Sequence, residues 1–358
     1  MRVALVCPYS WSVPGGVQAH VAGLAAGLRA LGHEVDVLAP ADAPADAAGV
    51  AALGRTVGIP DNGSVQRVAL SPAAVARTAA LVRQRGYDLV HLHEPLIPAA
   101  CLTALLAARV PVVGTFHMVG SSRRWYRVFG PLVRRWVTRL SQRIAVSHAA
   151  ARYVAASLPG LYHVIPNGID VEAFARLGAR REGSRILFVG RPEPRKGLPV
   201  LLEAFSRLSG EPTLDLVGIS TAELGALPPR VRAYGRVPAE ERDRLLGEAD
   251  VLCVPSLAAE SFGVVLVEGM AAGLPVVASA LDGYREALPE DCGRLVPPGD
   301  AVTLAAALGE LLADEDVRRR LGDAGRQEAQ RYDWPRVVER VLEVYGHAVR
   351  CHAQAVEA

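Results

Sequence analysis

Arg185-Ile186-Leu187-Phe188-Val189-Gly190-Arg191-Pro192-Glu193-Pro194-Arg195-Lys196-Gly197-Leu198 is the stretch on which the fold turns. Four apolar residues run up to a glycine, as in a strand buried on both faces of a parallel sheet. A loop with two prolines and three cations follows. A second glycine then opens the helix-length segment Leu198–Leu208. The order is strand, loop, helix, the unit from which parallel sheets are built.

The same order recurs outward in both directions. Downstream, strands are expected at Leu214–Val217, Val231–Tyr234, Asp250–Pro255, Pro275–Ser279 and Arg294–Val296, and helices at Ala301–Leu312, Asp316–Arg331 and Pro335–Val349. Upstream, strands are expected at Val3–Cys7, Glu34–Ala39, Asp88–His93, Val110–Phe116, Arg143–Ser147 and His163–Pro166. Between them lie helices such as Val17–Leu31, stopped by Gly32, and Pro72–Gln84, stopped by Gly86. The polar, glycine-containing segment Asn167–Ser184 reads as a linker. No sequence repeat is visible, yet the architecture occurs twice. The expected class is α/β, with two Rossmann-like, doubly wound domains over residues 1–168 and 169–334.

At 358 residues the chain has room for two domains of about 150 residues each. With 51% apolar and 21% charged residues it is neither disordered nor fibrous. No apolar run approaches the ~18 residues of a membrane span. The opening Met1-Arg2-Val3-Ala4-Leu5-Val6 enters a strand-like run too short for a secretory signal. Cys7, Cys101, Cys253, Cys292 and Cys351 are scattered without C-x-x-C spacing, which suits reduced thiols in the cytoplasm, not zinc or a disulfide framework. Residues 1–168 carry 16 Arg against 7 acids, whereas residues 169–358 carry 23 basic and 30 acidic residues. The first half is therefore expected to meet something anionic. Of the 39 basic residues only Lys196 is a lysine, and it falls in the opening loop.

Three loops and one histidine carry chemistry. Pro14-Gly15-Gly16-Val17-Gln18 follows the first strand and opens the first helix, where backbone N–H groups and the helix dipole favour a phosphate. It lacks G-x-G-x-x-G, which argues against a dinucleotide. In the opening loop, Arg191 and Lys196 suit the two phosphates of a nucleoside diphosphate, one as a planar fork and one as a point charge. A solvated charge cluster is the plain alternative. Glu260-Ser261-Phe262-Gly263-Val264-Val265-Leu266-Val267-Glu268 places two carboxylates roughly on one side if the segment is helical throughout; if Gly263 opens the helix, backbone N–H groups there face an anionic phosphate. Glu260 would then accept from sugar hydroxyls and Glu268 from a ribose diol, unless both are structural. His117 ends a strand at the carboxyl edge, where open α/β sheets bind ligands. His91 and His93 have metal-like spacing, but no acid or cysteine cluster accompanies them, so no metal site is expected. Ser121–Arg143, with seven Arg, four aromatics and no acid, reads either as a solvated helix face or as a surface for phosphorylated or lipid partners. Nothing in the balanced overall charge calls for nucleic acid.

Together and in this order, the loops resemble the retaining glycosyltransferases of the GT4 type, which have the two-domain GT-B fold. Glu260 and Glu268 are similar to that family's E-x7-E motif. Cys7-Pro8-Tyr9-Ser10, Val13 to Gln18, Asn62-Gly63-Ser64-Val65 with Arg67, and Thr115-Phe116-His117 resemble the actinobacterial phosphatidylinositol mannosyltransferases. Tyr332-Asp333-Trp334 resembles the family's last element, which implies that helix 335–358 crosses back to the first domain, the two domains facing across a cleft. The resemblance implies GDP-mannose as donor, its pyrophosphate held by Gly16, Arg191, Arg195 and Lys196. It places Val237 and Arg242 beside the nucleotide, Glu260, Ser261, Phe262, Gly263, Val264 and Val265 at sugar and phosphate, and Glu268 at the ribose. His117 would contact the transferred sugar, with His117, Arg191, Lys196 and Glu260 forming the catalytic set. Tyr9, Gln18, Asn62, Ser64 and Arg67 would line an inositol phosphate site. No cofactor is implied, and with these cations a metal is not required.

The family's lysine-rich amphipathic helix is reduced here to Ser71–Arg85 with Arg77, Arg83 and Arg85, so contact with an anionic membrane passes to Ser121–Arg143. The expected place is the cytoplasm, peripheral on the inner face of the plasma membrane. The leading expectation is hexose transfer to an anionic, inositol-type or lipid-linked acceptor such as phosphatidylinositol. A second has a GDP- or UDP-sugar and a soluble acceptor. A nicotinamide oxidoreductase and a non-catalytic binding module complete the alternatives.

Overall fold

The computed structural model describes residues 1–42, 49–61, 64–120, 130–177 and 184–357. The chain divides into two compact units, Met1–Gly168 with Trp334–Ala358, and Ile169–Asp333. The first unit is built on a seven-stranded parallel sheet in the order β3-β2-β1-β6-β7-β8-β9. Its strands are β1 (Arg2–Val6), β2 (Glu34–Ala39), β3 (Val50–Ala52), β6 (Leu89–His93), β7 (Val112–Phe116), β8 (Gln142–Ala145) and β9 (His163–Val164). The central strands β1, β6 and β7 are almost wholly buried, which is why they read as continuous apolar runs. A separate antiparallel hairpin pairs β4 (Val57–Asp61) with β5 (Ser64–Val68).

One face of this sheet is covered by the helix Gly16–Ala30 and, from the far end of the chain, by the helix Trp334–Glu357. Leu24, Leu28, Val337, Val341, Val344 and Tyr345 share one apolar cluster with Leu5 and Val37. At about 25 cal/mol per Å² of apolar surface, covering such a face is the main stabilising term. The opposite face carries a second cluster around Leu92, Leu105 and Phe116.

The second unit has a six-stranded parallel sheet in the order β12-β11-β10-β13-β14-β15. Its strands are β10 (Arg185–Val189), β11 (Thr213–Val217), β12 (Val231–Gly235), β13 (Val251–Val254), β14 (Val276–Ser279) and β15 (Gly293–Val296). Its core joins Phe188, Leu201, Leu216, Val251, Cys253 and Leu308. The expected linker holds a short helix, Val171–Ala175, capped by Asp170 through the N–H of Ala173. The first and last residues of this unit lie side by side, Ile169 donating to the carbonyl of Tyr332 at 2.9 Å.

Candidate active site

In the second unit the strand order reverses between β10 and β13. The loops leaving these strands diverge and open a crevice at their carboxyl ends. The loop quoted at the outset leaves β10, and residues 255–263 leave β13. Gly197 lets the two loops touch: its φ is +72°, and a Cβ there would stand 1.9 Å from the Pro255 carbonyl oxygen. The N–H of Leu257 donates to the Arg195 carbonyl at 2.7 Å.

Across this seam Glu260 Oε1 accepts from Arg195 Nη1 at 2.6 Å and from Lys196 Nζ at 2.7 Å. The Arg195 and Lys196 side chains are each 19% exposed and that of Glu260 12%, so the charges are shielded yet reachable. Ser256 shares a 2.9 Å hydrogen bond with Tyr284 and stands 3.4 Å from Glu260 Oε1. Ala259, immediately before Glu260, has φ +59°, a left-handed conformation that a non-glycine residue adopts at a cost and that fixes where the carboxylate points.

Glu193 is the residue that sequence reasoning passed over. Its buried carboxylate lies 3.0 Å from Arg191 Nε and 2.7 Å from Arg195 Nη2. Its signal was a single acid inside a run of cations. Three cations face two carboxylates here, leaving one positive charge uncompensated. Half-exposed Arg191 is the most solvent-facing of the three.

Glu260 and Glu268 do not share a helix; Gly263 opens it, the second of the two geometries the sequence allows for the pair. The helix is Val264–Ala271, and Gly263 at its N-cap has φ +92° and leaves no room for a Cβ, which would meet the Tyr284 ring at 2.7 Å. Val264 and Val265 therefore begin the helix, where N–H groups lack intrahelical partners. Phe262 is buried against Tyr332, so beside Ser261 it has only backbone to offer a ligand. Glu268 sits inside, 3.4 Å from Arg242 Nη1. Burial pushes its carboxyl up to about 7, against the pull of Arg242. Arg242 pairs with Asp243 at 2.7 Å and lies over the Phe174 ring. Val237 is half-buried in the segment after β12.

In the first unit the reversal falls between β1 and β6. After β1 comes the glycine turn, and a Cβ added at Gly16 would meet nothing within 4 Å, leaving room for close approach to the helix N-terminus. Gln18 spends its amide Nε2 on the carbonyls of Ser10 and Val13, at 3.1 and 3.0 Å, and so holds this turn. The buried Tyr9 hydroxyl reaches Met118 Sδ at 3.5 Å. Arg67 is half-exposed, 3.5 Å from Asp42. That carboxylate also accepts from Ser10 at 3.1 Å and from the N–H of Thr56 at 2.8 Å. Asn62 lies outside the described residues, as do residues 121–129 of the basic stretch, and Ser64 is placed by its backbone, paired with Asp61.

His117 follows β7 and is buried. Glu94 fixes its backbone, accepting the N–H of His117 at 2.5 Å and of Met118 at 2.9 Å. Its ring meets His93, Nε2 to Nδ1, at 3.0 Å. Burial holds the ring well below the usual histidine range, so it is neutral at pH 7.

Residues 14–173 match the family described as Glycosyltransferase Family 4, and residues 171–328 match Glycosyl transferases group 1. The chain is 40% identical over 360 residues to the phosphatidyl-myo-inositol mannosyltransferase of Mycobacterium leprae, covering 96% of each. It is 41% identical over 360 residues to the enzyme of that name from Mycolicibacterium smegmatis, covering 96% of this chain and 93% of that one. In fold it is similar to Anabaena HepE, solved with UDP and glucose, at TM-score 0.77 and 22% identity over 97% of this chain and 99% of that one. Paired α/β units of this kind are the GT-B architecture, and likeness at this level along nearly the whole sequence leaves one assignment: the chain belongs to the family 4 glycosyltransferases and is a hexosyltransferase.

Proposed function

We propose that the protein transfers mannose from GDP-mannose to phosphatidylinositol with retention at the anomeric carbon. The observation that carries this reading is Glu260 Oε1 holding Arg195 and Lys196 together in a loop cluster with one positive charge to spare. The names of the relatives at 40% and 41% identity support the sugar and the acceptor. Breaking the sugar–phosphate bond leaves a diphosphate with growing negative charge. Fixed cations and helix N–H groups aimed at it stabilise the transition state more than the ground state.

In this reading Arg191, Arg195, Lys196 and the N–H groups at Gly16, Val264 and Val265 hold the diphosphate. Glu260 orders the cations and accepts from sugar hydroxyls, and Glu268 takes the ribose diol beside Val237 and Arg242. His117 offers the sugar a neutral dipole, not a charge. The bond from C1 to the phosphate oxygen breaks, the acceptor hydroxyl oxygen bonds to C1 on the same face, and its proton goes to the departing phosphate. Tyr9, Asn62, Ser64 and Arg67 receive the inositol phosphate, with Gln18 holding the glycine turn.

The protein is assigned to the cytoplasm, at the inner face of the plasma membrane, held through the basic residues of 121–143. Exposed Arg134, Arg135 and Arg139 and half-buried Arg143 are the described arginines of that stretch, and among the described residues no helix is long and apolar enough to cross a membrane. Anionic vesicles should bind the protein at low salt, and failure to do so removes the membrane contact. The decisive experiment is a panel of GDP- and UDP-sugars with and without phosphatidylinositol, products identified by mass. A mannosylated lipid formed only from GDP-mannose is expected. Equal transfer to a soluble inositol phosphate would move the acceptor to the soluble class, and no transfer from any donor would end the reading.

A further inference from the structure

Four histidines meet at the carboxyl edge of the first unit's sheet. His91 is fully engaged, Nδ1 with the Tyr345 hydroxyl at 2.8 Å and Nε2 with Thr115 Oγ1 at 2.7 Å. The other three differ. His20 comes from the helix Gly16–Ala30, His93 from the end of β6 and His117 from beyond β7, and they are only 5%, 0% and 6% exposed. Their ring centroids form a nearly equilateral triangle, 5.4 Å between His20 and His93, 5.0 Å between His20 and His117, and 5.2 Å between His93 and His117. One ring nitrogen from each lies within 4.8 Å of the other two.

Two buried nitrogens of this triangle, His20 Nδ1 and His93 Nε2, have no hydrogen-bond partner among the described residues. Leaving a buried polar group unpaired costs roughly 1–3 kcal/mol, so two in one pocket require an explanation. Burial keeps His20 neutral by lowering it to about 4, and lowers His93 and His117 well below the usual range. Neutral imidazole is the form that binds metals, so no proton need be removed at pH 7.

We propose that His20, His93 and His117 form a site for one divalent transition-metal ion of the Zn²⁺ class. Bonds of about 2.0–2.1 Å set ligand nitrogens roughly 3.4 Å apart around a tetrahedron, with the fourth position open. A 3.0 Å hydrogen bond between His93 Nδ1 and His117 Nε2 already draws two of the three rings together. The remaining adjustment of roughly 1–1.5 Å lies within the reach of side-chain torsions. Glu94, on the backbone N–H of His117, places a buried acid beside the site and favours a cation. His91 and His93 alone gave no such prospect, because the partners are histidines brought by a helix and a neighbouring strand.

The site goes beyond the proposed function but shares His117 with it, so a bound ion withdraws that ring from the sugar and inhibits transfer. The full-length protein, stripped with chelator, is titrated with Zn²⁺ by equilibrium dialysis and with Co²⁺ by visible absorption. The expected result is one ion per chain with the spectrum of tetrahedral cobalt. His20→Ala and His93→Gln should each weaken binding by more than about 100-fold, beyond what loss of a supporting contact costs, whereas Cys351→Ser should bind as the wild type does. His20→Ala should also transfer sugar without zinc inhibition. The proposal is overturned if the wild type takes up no stoichiometric ion, or if either variant, folded by circular dichroism, binds as tightly as the parent. Transfer measured in chelator separates the two readings: a metal-free active enzyme that takes up no ion loses only the metal site, and one that binds the ion but never transfers loses the function.

Discussion

The two units place their key residues at the same topological position and furnish it oppositely. At the β10/β13 reversal stand fixed charges, Arg191, Arg195 and Lys196 against Glu193 and Glu260, paired at 2.6–3.0 Å and open enough to meet an anion. At the β1/β6 reversal stand neutral imidazoles, sealed from water and linked to each other and to Tyr345. The difference is one of means: charge whose cost of burial is shared among close partners in the second unit, shape and dipoles in the first. Salt should therefore weaken nucleotide binding to the second unit and leave the histidine cluster untouched.

The sharpest way to break this contrast is Lys196→Ala. Loss of a leaving-group cation should lower turnover by more than ~100-fold with the fold intact by circular dichroism. A near-normal rate would show that charge at this edge does not run the reaction. Next comes Arg67→Ala, which should raise KM about tenfold for phosphate-bearing acceptors only, the scale of one charge-assisted contact. Asp42→Ala, which frees Arg67 without removing it, should have a smaller effect of the same kind, and equal losses with a neutral acceptor would discard that site.

The third prediction concerns acidity. Glu268 titrates near 7 because burial disfavours its charge, and a ribose diol needs the ionised carboxylate as acceptor. Affinity for GDP should fall as pH drops through that value, by about tenfold between pH 8 and 6, and Glu268→Gln should flatten the profile. Over the same range the buried histidines should show no titration by NMR, since His20, His91, His93 and His117 are all held below it. The smallest effect is Tyr345→Phe. It orphans His91 Nδ1 and should cost about 1–2 kcal/mol in denaturant unfolding without altering nucleotide affinity.

The charged site was largely legible because its signals are local. Arg191, Lys196 and Glu260 lie within a few residues of apolar runs and are punctuated by glycine and proline, so strand, loop and cation read together. The histidine site was not. His20 is separated from His93 by 73 positions, and only the order of the strands brings them together. Glu94 and Glu193 escaped notice because nothing in composition says that an acid will be buried as a brace. The hairpin Val57–Asp61 with Ser64–Val68 was missed because Gly58 and Pro60 interrupt its alternation. The helix Val171–Ala175 is too short for any period to show. Of the two geometries open to Glu260–Glu268, the one in which Gly263 opens the helix holds, because its left-handed φ starts the helix instead of lying within it.

The helix Trp334–Glu357 packs into the apolar cluster of Leu5, Leu24 and Leu28, although 165 residues of another unit intervene. On the ribosome, the segment Ile169–Asp333 is therefore a finished, self-contained folding unit while the earlier-made sheet still lacks its lid. The amino-terminal sheet can complete this cover only after the 24-residue helix Trp334–Glu357 leaves the exit tunnel. A nascent chain halted before Trp334 would carry a bare hydrophobic face and be a natural client for chaperones.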